Sequence, residues 1–318
     1  MGKLKALLLT EGMHGMISQV EGMAKALNTE YSHKTIKLSF PWNLVPPKFT
    51  PISDIILKDK IYINEKEAPD LIISCGRKSV IPSILLKKTH SKIFTFHIQD
   101  PKVDFKNFDA IVAPQHDNLK GNNNIYIFIS KGAIHYITES EINEARQYLV
   151  NKINSEKVVS LILGGPNKYY SFNSEQIINI FNQIKSIFVS KGYKVIIIPS
   201  MRTPKKAIDL ANKEMGSCGY VVSKIDKKAY LSAYALANYV IVTCDSTSMI
   251  SEAATSSKPI FVAHMKAKKN NYRFKRFFEL FKQMGITRDL GEKVETWTYN
   301  KHNEAQRIAF EIKNKIKN

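Results

Sequence analysis

A chain of 318 residues is long enough for two domains of ordinary size, and 44% hydrophobic with 24% charged residues is the composition of a soluble globular protein. No apolar run approaches the roughly 20 residues of a membrane span, and three cysteines without ligand spacing exclude a disulfide framework and a zinc site, which fits a reducing cytoplasm. The net charge of +19 attracts nucleic acid, anionic lipid or phosphorylated ligands, but the lysines are scattered as compositional drift leaves them, and no nucleic-acid-binding motif appears.

The opening run, residues 5–10, reads as a strand rather than a signal peptide. Its apolar core is short, and Glu11 and His14 follow with no small-residue cleavage pattern. The turn at 11–16 carries Gly12 and Gly15, which either let a substrate approach the backbone or simply bend it. It lacks the G-x-G-x-x-G spacing of a dinucleotide fingerprint. Residues 17–27 are expected to be helical, with Val20, Met23, Ala24 and Leu27 on the apolar side. Further strands are expected at 35–40, 69–77, 93–98, 108–113 and 125–129, with a helix at 79–88. The proline-rich loop 41–47 either packs inward around Trp42 or touches a membrane or lipid acceptor. These strand ends carry His14, Arg77, Gln99 with Asp100, and His116 with Asp117. Ligands of open α/β sheets bind outside the carboxyl ends of the strands, although each such residue alone is as readily a cap or turn former.

A second alternation follows a helix at 138–150, whose start has a capping box from Thr138 and Glu141. Residues 151–156 read as a linker. Strands are then expected at 158–163, 194–198, 219–222, 239–243 and 258–263, with helices at 174–190, 205–214 and 227–237. The stretch 240–254 is a buried strand, a polar turn and a helix, with Asp245 or Ser246 as N-cap and Met249, Ile250, Ala253 and Ala254 on its apolar face. Free N–H groups at such a helix start suit an anion, and Asp245, Ser246, Ser248 and Glu252 would stand around it. Gly164-Gly165-Pro166 and Ser200-Met201-Arg202-Thr203 sit at neighbouring strand ends. The glycine amides could cradle a phosphate, and Arg202 could grip a diphosphate. Asp245 as ligand contact and Asp245 as cap stay open. Phe274, Phe277, Phe278 and Phe281 form a helical stripe beside basic residues, either core-facing or membrane-facing. Residues 301–317 are a basic helix with Ala305, Ile308, Ala309, Ile312 and Ile316 on one face.

The fold class is therefore α/β with two doubly wound parallel sheets: a first domain at 1–152, a second at 153–300, and a helix at 301–318 returning to the first. Gly76-Arg77, Gln99-Asp100-Pro101, Pro114-Gln115-His116-Asp117, Gly164-Gly165-Pro166, Ser200-Met201-Arg202-Thr203-Pro204 and Asp245-Ser246-Thr247-Ser248-Met249-Ile250-Ser251-Glu252-Ala253 occur in the order seen in the mitochondrial-fission elongated-mitochondria family, which the chain resembles from Thr10 to about Arg288. The resemblance implies a B-type glycosyltransferase fold, two Rossmann-like domains facing across a cleft with the donor nucleotide on the second. It implies Glu252 on the donor ribose or sugar, and Gly164, Gly165 and Ser246 near its diphosphate. The chain departs from such folds at Thr255-Ser256-Ser257-Lys258-Pro259, where a glycine usually precedes Lys-Pro.

The resulting expectation is a metal-independent glycosyltransferase taking a nucleotide-diphosphate sugar to a cell-envelope acceptor, lipid or glycan, without a cofactor. No D-x-D pair is present. Asp100 or His116, with His14 as rival, would be the general base, and Arg202 would stabilise the leaving diphosphate. Two alternatives stand beside it: a non-catalytic peripheral membrane protein, and a nucleotide-sugar epimerase. The expected location is the cytoplasm, peripheral at the inner membrane face, with no nucleic-acid partner.

Overall fold

The computed structural model describes residues 3–64, 67–117, 119, 126–291 and 293–316. The expected strand start at Ile125, the side chains of His116 and Ile316, and Lys317 lie outside the described residues. The chain divides into two units, Met1–Tyr136 with Asn303–Asn318, and Ile137–His302.

Unit 1 runs β1 (Lys5–Thr10), α1 (His14–Leu27), β2 (Glu30–Thr35), β3 (Leu71–Cys75), α2 (Val80–Thr89), β4 (Phe94–Ile98), β5 (Ala110–Pro114) and β6 (Tyr126–Ser130). The strands form one parallel sheet in the order β2-β1-β3-β4-β5-β6. β3 and β5 are buried at every position, which is why they read as unbroken apolar runs. The second strand lies at Glu30–Thr35, not at 35–40. It is an edge strand, almost wholly exposed, whose sequence EYSHKT carries no apolar signal. The apolar residues that suggested the later position serve elsewhere: Ile36 and Leu38 pack in the core, and Leu38 bridges Leu57.

Unit 2 runs α3 (Glu139–Glu144), α4 (Val150–Ile153), β7 (Val158–Leu163), α5 (Ser174–Ile187), β8 (Lys194–Pro199), α6 (Lys205–Met215), β9 (Gly219–Val221), α7 (Lys227–Leu236), β10 (Tyr239–Thr243), α8 (Thr247–Ala254), β11 (Ile260–Ala263), α9 (Tyr272–Gln283) and β12 (Thr287–Asp289). Its parallel sheet has the order β12-β11-β10-β7-β8-β9. The strand order reverses between β7 and β10, so this pair is the topological switch point of the sheet. The unit begins at Ile137 rather than at the 151–156 segment. Arg146 Nη1 donates to Ala235 O at 2.6 Å and Leu149 N to Ser232 Oγ at 3.1 Å, which ties α3 and α4 to α7. The Phe277, Phe278 and Phe281 side chains of α9 are buried, so the aromatic stripe faces the core.

The last helix, α10 (Glu304–Ile316), belongs to unit 1. Ala305, Ile308, Ala309 and Ile312 join Val20, Met23, Ala24 and Leu27 of α1 in one apolar cluster. Buried Glu304 accepts from Lys131 N at 2.7 Å, and Arg307 Nη2 donates to Ile129 O at 2.6 Å, fixing the helix to the end of β6. Gly22 on α1 admits the chain closely: a Cβ there would stand 2.4 Å from the His135 carbonyl oxygen.

His97 on β4 is buried beside Phe108, with its Nδ1 2.8 Å from Ser74 Oγ. Burial lowers its pKa to about 3, against a small opposing pull from Asp100. An unfolded histidine titrates near 6.5, so the stability this neutral ring contributes is complete above that value and is lost as pH falls below it. Urea unfolding should show a slope that rises from near zero above pH 7 towards about 1.4 kcal/mol per pH unit between pH 5.5 and 4 from this one proton. His97→Gln should remove that part of the slope. An unchanged slope in the variant would show that the ring is not the group protonated on unfolding.

Candidate functional site

The site of unit 2 is built at its switch point. β7 ends in Gly164-Gly165, β8 leads into Ser200-Met201-Arg202-Thr203, and β10 leads into Cys244-Asp245-Ser246. Asp245 is buried, with its side chain fully shielded. Its Oδ1 accepts from Thr243 Oγ1 at 2.6 Å, and its Oδ2 accepts from Gly165 N at 3.0 Å and Arg202 Nη2 at 2.8 Å. Thr243 Oγ1 in turn accepts from Gly164 N at 2.8 Å, and Arg202 Nη1 donates to Gly165 O at 3.1 Å. Burial pushes the Asp245 carboxyl above its ordinary pKa, while Arg202, Thr243 and the Gly165 amide pull it back.

This geometry changes the meaning of four expected residues. The Gly164 and Gly165 amides have internal acceptors and are not open to a phosphate. Both positions need glycine because of close approach: a Cβ on Gly164 would lie 2.1 Å from Asp245 Oδ1, and one on Gly165 2.0 Å from the Arg202 carbonyl oxygen. Asp245 neither caps α8 nor faces outward. The cap is Ser246, whose Oγ accepts from Met249 N at 3.4 Å. Arg202 spends two of its N–H groups on Asp245 and Gly165, and its side chain keeps 39% exposure. Ser200 is tied to Thr203, which also reaches the Leu163 and Gly164 carbonyls.

Ser246, Ser248 and Glu252 of the α8 segment are each partly exposed. Glu252 Oε2 accepts from Tyr230 OH at 2.5 Å, and Tyr234 OH donates to Tyr230 OH at 2.7 Å. Oε1 has no hydrogen-bond partner among the described residues. Burial raises the Glu252 pKa to about 7, with the Tyr230 hydroxyl pulling it down. The two tyrosines escaped the sequence reading because spaced aromatics on a helix look like core. The signal was their i, i+4 spacing, which stacks two hydroxyls on one face. At the carboxyl end of β11, Tyr170, Met265, Asn271 and Phe278 line a cavity of about 650 Å³ rimmed by Lys269 and Lys275.

In unit 1 the switch point lies between β1 and β3. Glu11, also missed by the sequence reading, accepts from Lys78 N at 3.0 Å there. Gly12 has φ +83°, so the turn requires a glycine, whereas Gly15 lies in α1 with open space around it. Gln99 Nε2 reaches Gln19 Oε1 at 3.4 Å, and exposed His14 Nε2 lies 3.4 Å from Tyr136 OH. Asp100 accepts from Lys102 N at 2.9 Å and pairs with its Nζ at 2.5 Å. Arg77 is not at the site: it forks onto Asn43 O at 2.5 Å and Val45 O at 2.8 Å.

Breaking the Arg202–Asp245 pair should leave a buried carboxylate without its cation. Arg202→Ala should cost about 2–3 kcal/mol in urea unfolding at pH 7, the figure for buried pairs reduced because Arg202 is partly exposed. The same substitution in an Asp245→Asn background should cost much less. Equal costs in both backgrounds would show that Arg202 does not answer the charge of Asp245.

Comparison with known proteins follows the same lines. The family model described as mitochondrial fission ELM1 matches residues 14–316. The uncharacterized protein RP120 of Rickettsia prowazekii (strain Madrid E) is 27% identical, with 98% of each chain covered. Among solved structures, the UDP-GlcNAc 2-epimerase of Methanocaldococcus jannaschii superposes with TM-score 0.54 at 14% identity, over 98% of this chain and 99% of its own. A UDP-glucosyltransferase of Polygonum tinctorium superposes with TM-score 0.52 at 10% identity, over 98% of this chain and 89% of its own. The fold is thus that of the B-type glycosyltransferases, two Rossmann-like units each with a six-stranded parallel sheet.

Proposed function

This chain belongs to the mitochondrial fission ELM1 family, and we propose that it is a nucleotide-sugar enzyme whose unit 2 holds a nucleotide-diphosphate sugar. The observation that carries this reading is Glu252, a partly exposed residue whose carboxylate has one oxygen fixed by Tyr230 and the other unpartnered among the described residues. A ribose presents two adjacent hydroxyl donors, and an ionised carboxylate is acceptor only. The first turn of α8, with the Ser246 and Ser248 hydroxyls, offers N–H groups and the positive helix end to the diphosphate. The exposed part of Arg202 adds charge to the leaving group. The folds of a UDP-GlcNAc 2-epimerase and a UDP-glucosyltransferase support the same class of ligand.

Glycosyl transfer to an acceptor of the cell envelope is the first reading of the reaction, with no metal ion required. We assign deprotonation of the acceptor hydroxyl to a unit 1 residue, with His14 as first choice. Among the described residues its imidazole enters no ion pair, whereas both Asp100 oxygens are engaged by Lys102. Epimerisation is the second reading, favoured by the epimerase fold likeness, and product formed without an acceptor separates the two. Among the described residues, no helix is long and apolar enough to cross a membrane. The proposed place of work is the cytoplasmic side, peripheral to the membrane where a lipid-linked acceptor would lie.

Glu252 should bind ribose as the ionised form, so affinity for UDP-GlcNAc or UDP-glucose should rise as pH increases through about 7. Titration calorimetry from pH 6 to 8 reads this. Glu252→Gln should weaken binding roughly tenfold at pH 8 and flatten the dependence. Tyr230→Phe removes the hydroxyl that lowers the carboxyl pKa, so its midpoint should move upward. If no nucleotide sugar in a broad panel binds or raises the melting temperature, the enzyme reading fails.

A further inference from the structure

The segment that follows β2 is fastened to unit 1 along its length. Leu38 bridges Leu57, Ser39 N donates to Ile56 O at 2.8 Å, and Lys58 N donates to Lys37 O at 3.0 Å. The Arg77 fork holds the carbonyls of Asn43 and Val45, on either side of Leu44. Leu38, Ile56 and Leu57 are buried in the apolar cluster beneath, and Trp42 packs against it. A segment anchored in this way has a core available to cover its apolar side chains. Phe40, Leu44, Phe49, Ile55 and Tyr62 are nevertheless each more than two thirds exposed. Among the described residues, the other large apolar side chains exposed to that degree are Met201 and Phe310, each standing alone in its segment. Scattered single apolar residues need no explanation, but five within one short ordered segment mark an interaction surface.

We propose that this face docks unit 1 on an anionic phospholipid surface. Charge favours that occupant. Lys37, Lys48, Lys58 and Lys60 interleave with the apolar residues, against the acidic Asp54 and Asp59, and Asp54 is already paired with Lys60 at 2.8 Å. The chain as a whole carries +19. Shape favours it too. The cavity bordered by Asp54, Lys60 and Tyr62 is only about 70 Å³, too small to seat a partner's side-chain cluster. Protruding apolar side chains suit the boundary between headgroups and acyl chains, which deforms around them, while the lysines stay at headgroup level. Docking is independent of the chemistry proposed above, so a chain that turned over no nucleotide sugar would still bind.

The test is sedimentation of the full chain with phosphatidylcholine vesicles, with and without phosphatidylglycerol. Binding should require the anionic lipid and weaken as salt is raised. The double variant Leu44→Asp/Phe49→Asp should lose binding about tenfold or more. Both side chains lie outside the packed core, so the melting temperature of the variant should match that of the parent chain. A second variant, Lys48→Glu/Lys58→Glu, should lose binding to anionic vesicles with its apolar residues intact. The proposal is overturned if the parent chain leaves anionic vesicles in the supernatant, or if the Asp variant folds and binds as well as the parent. It is equally overturned if these substitutions abolish a dimer in solution and leave vesicle binding unchanged.

Discussion

The buried carboxylate of Asp245 organises the carboxyl-terminal edge of the unit 2 sheet. A shielded charge is costly unless it is paired and hydrogen-bonded, and Asp245 recruits partners from three strand ends at once. Gly165 after β7, Arg202 after β8 and Thr243 at the end of β10 all converge on it. The convergence locks the switch point shut from within. It also leaves the outward-facing groups of α8, namely Ser246, Ser248 and Glu252, on a rigid base. Strict glycine at 164 and 165 follows from the lock, because any Cβ there would displace Asp245 or the Arg202 backbone.

The glycine pair and the arginine hold the frame of the candidate site through internal hydrogen bonds. Glu252 is supported differently. It takes one hydrogen bond from Tyr230, itself backed by Tyr234, and both phenols are driven well above their ordinary pKa by burial and the nearby carboxylate. The pair therefore remains neutral and donates in a fixed direction. With burial lifting its pKa to about 7, the protonation of Glu252 is sensitive to small changes in its surroundings.

Unit 1 uses an arginine for a comparable purpose. The sequence groups Arg77 with the polar residues at the strand ends, where it could meet an anion. In the structure its planar fork matches two backbone carbonyls of the 41–47 loop and makes that loop an ordered platform. Glu11, Gly12 and His14 follow the carboxyl end of β1, and Gln99, held at a positive φ of 86°, follows that of β4.

Two parallel sheets and most of the strand positions follow from local residue pattern alone. Strands buried on both faces must be apolar and β-branched throughout, and β3, β5, β7, β10 and β11 announce themselves for that reason. That pattern also marks the strand ends where polar residues collect, and the chemical types on α8. Local pattern does not place β2, since an exposed edge strand needs no apolar pattern, nor the division of the units, since Arg146 and Leu149 choose their partners across long sequence separations. The same holds for the roles of single residues. Whether Asp245, Arg202 and Arg77 face a ligand or partners within their own unit depends on distances between segments far apart in the chain, and residue type and local spacing carry no information about those distances.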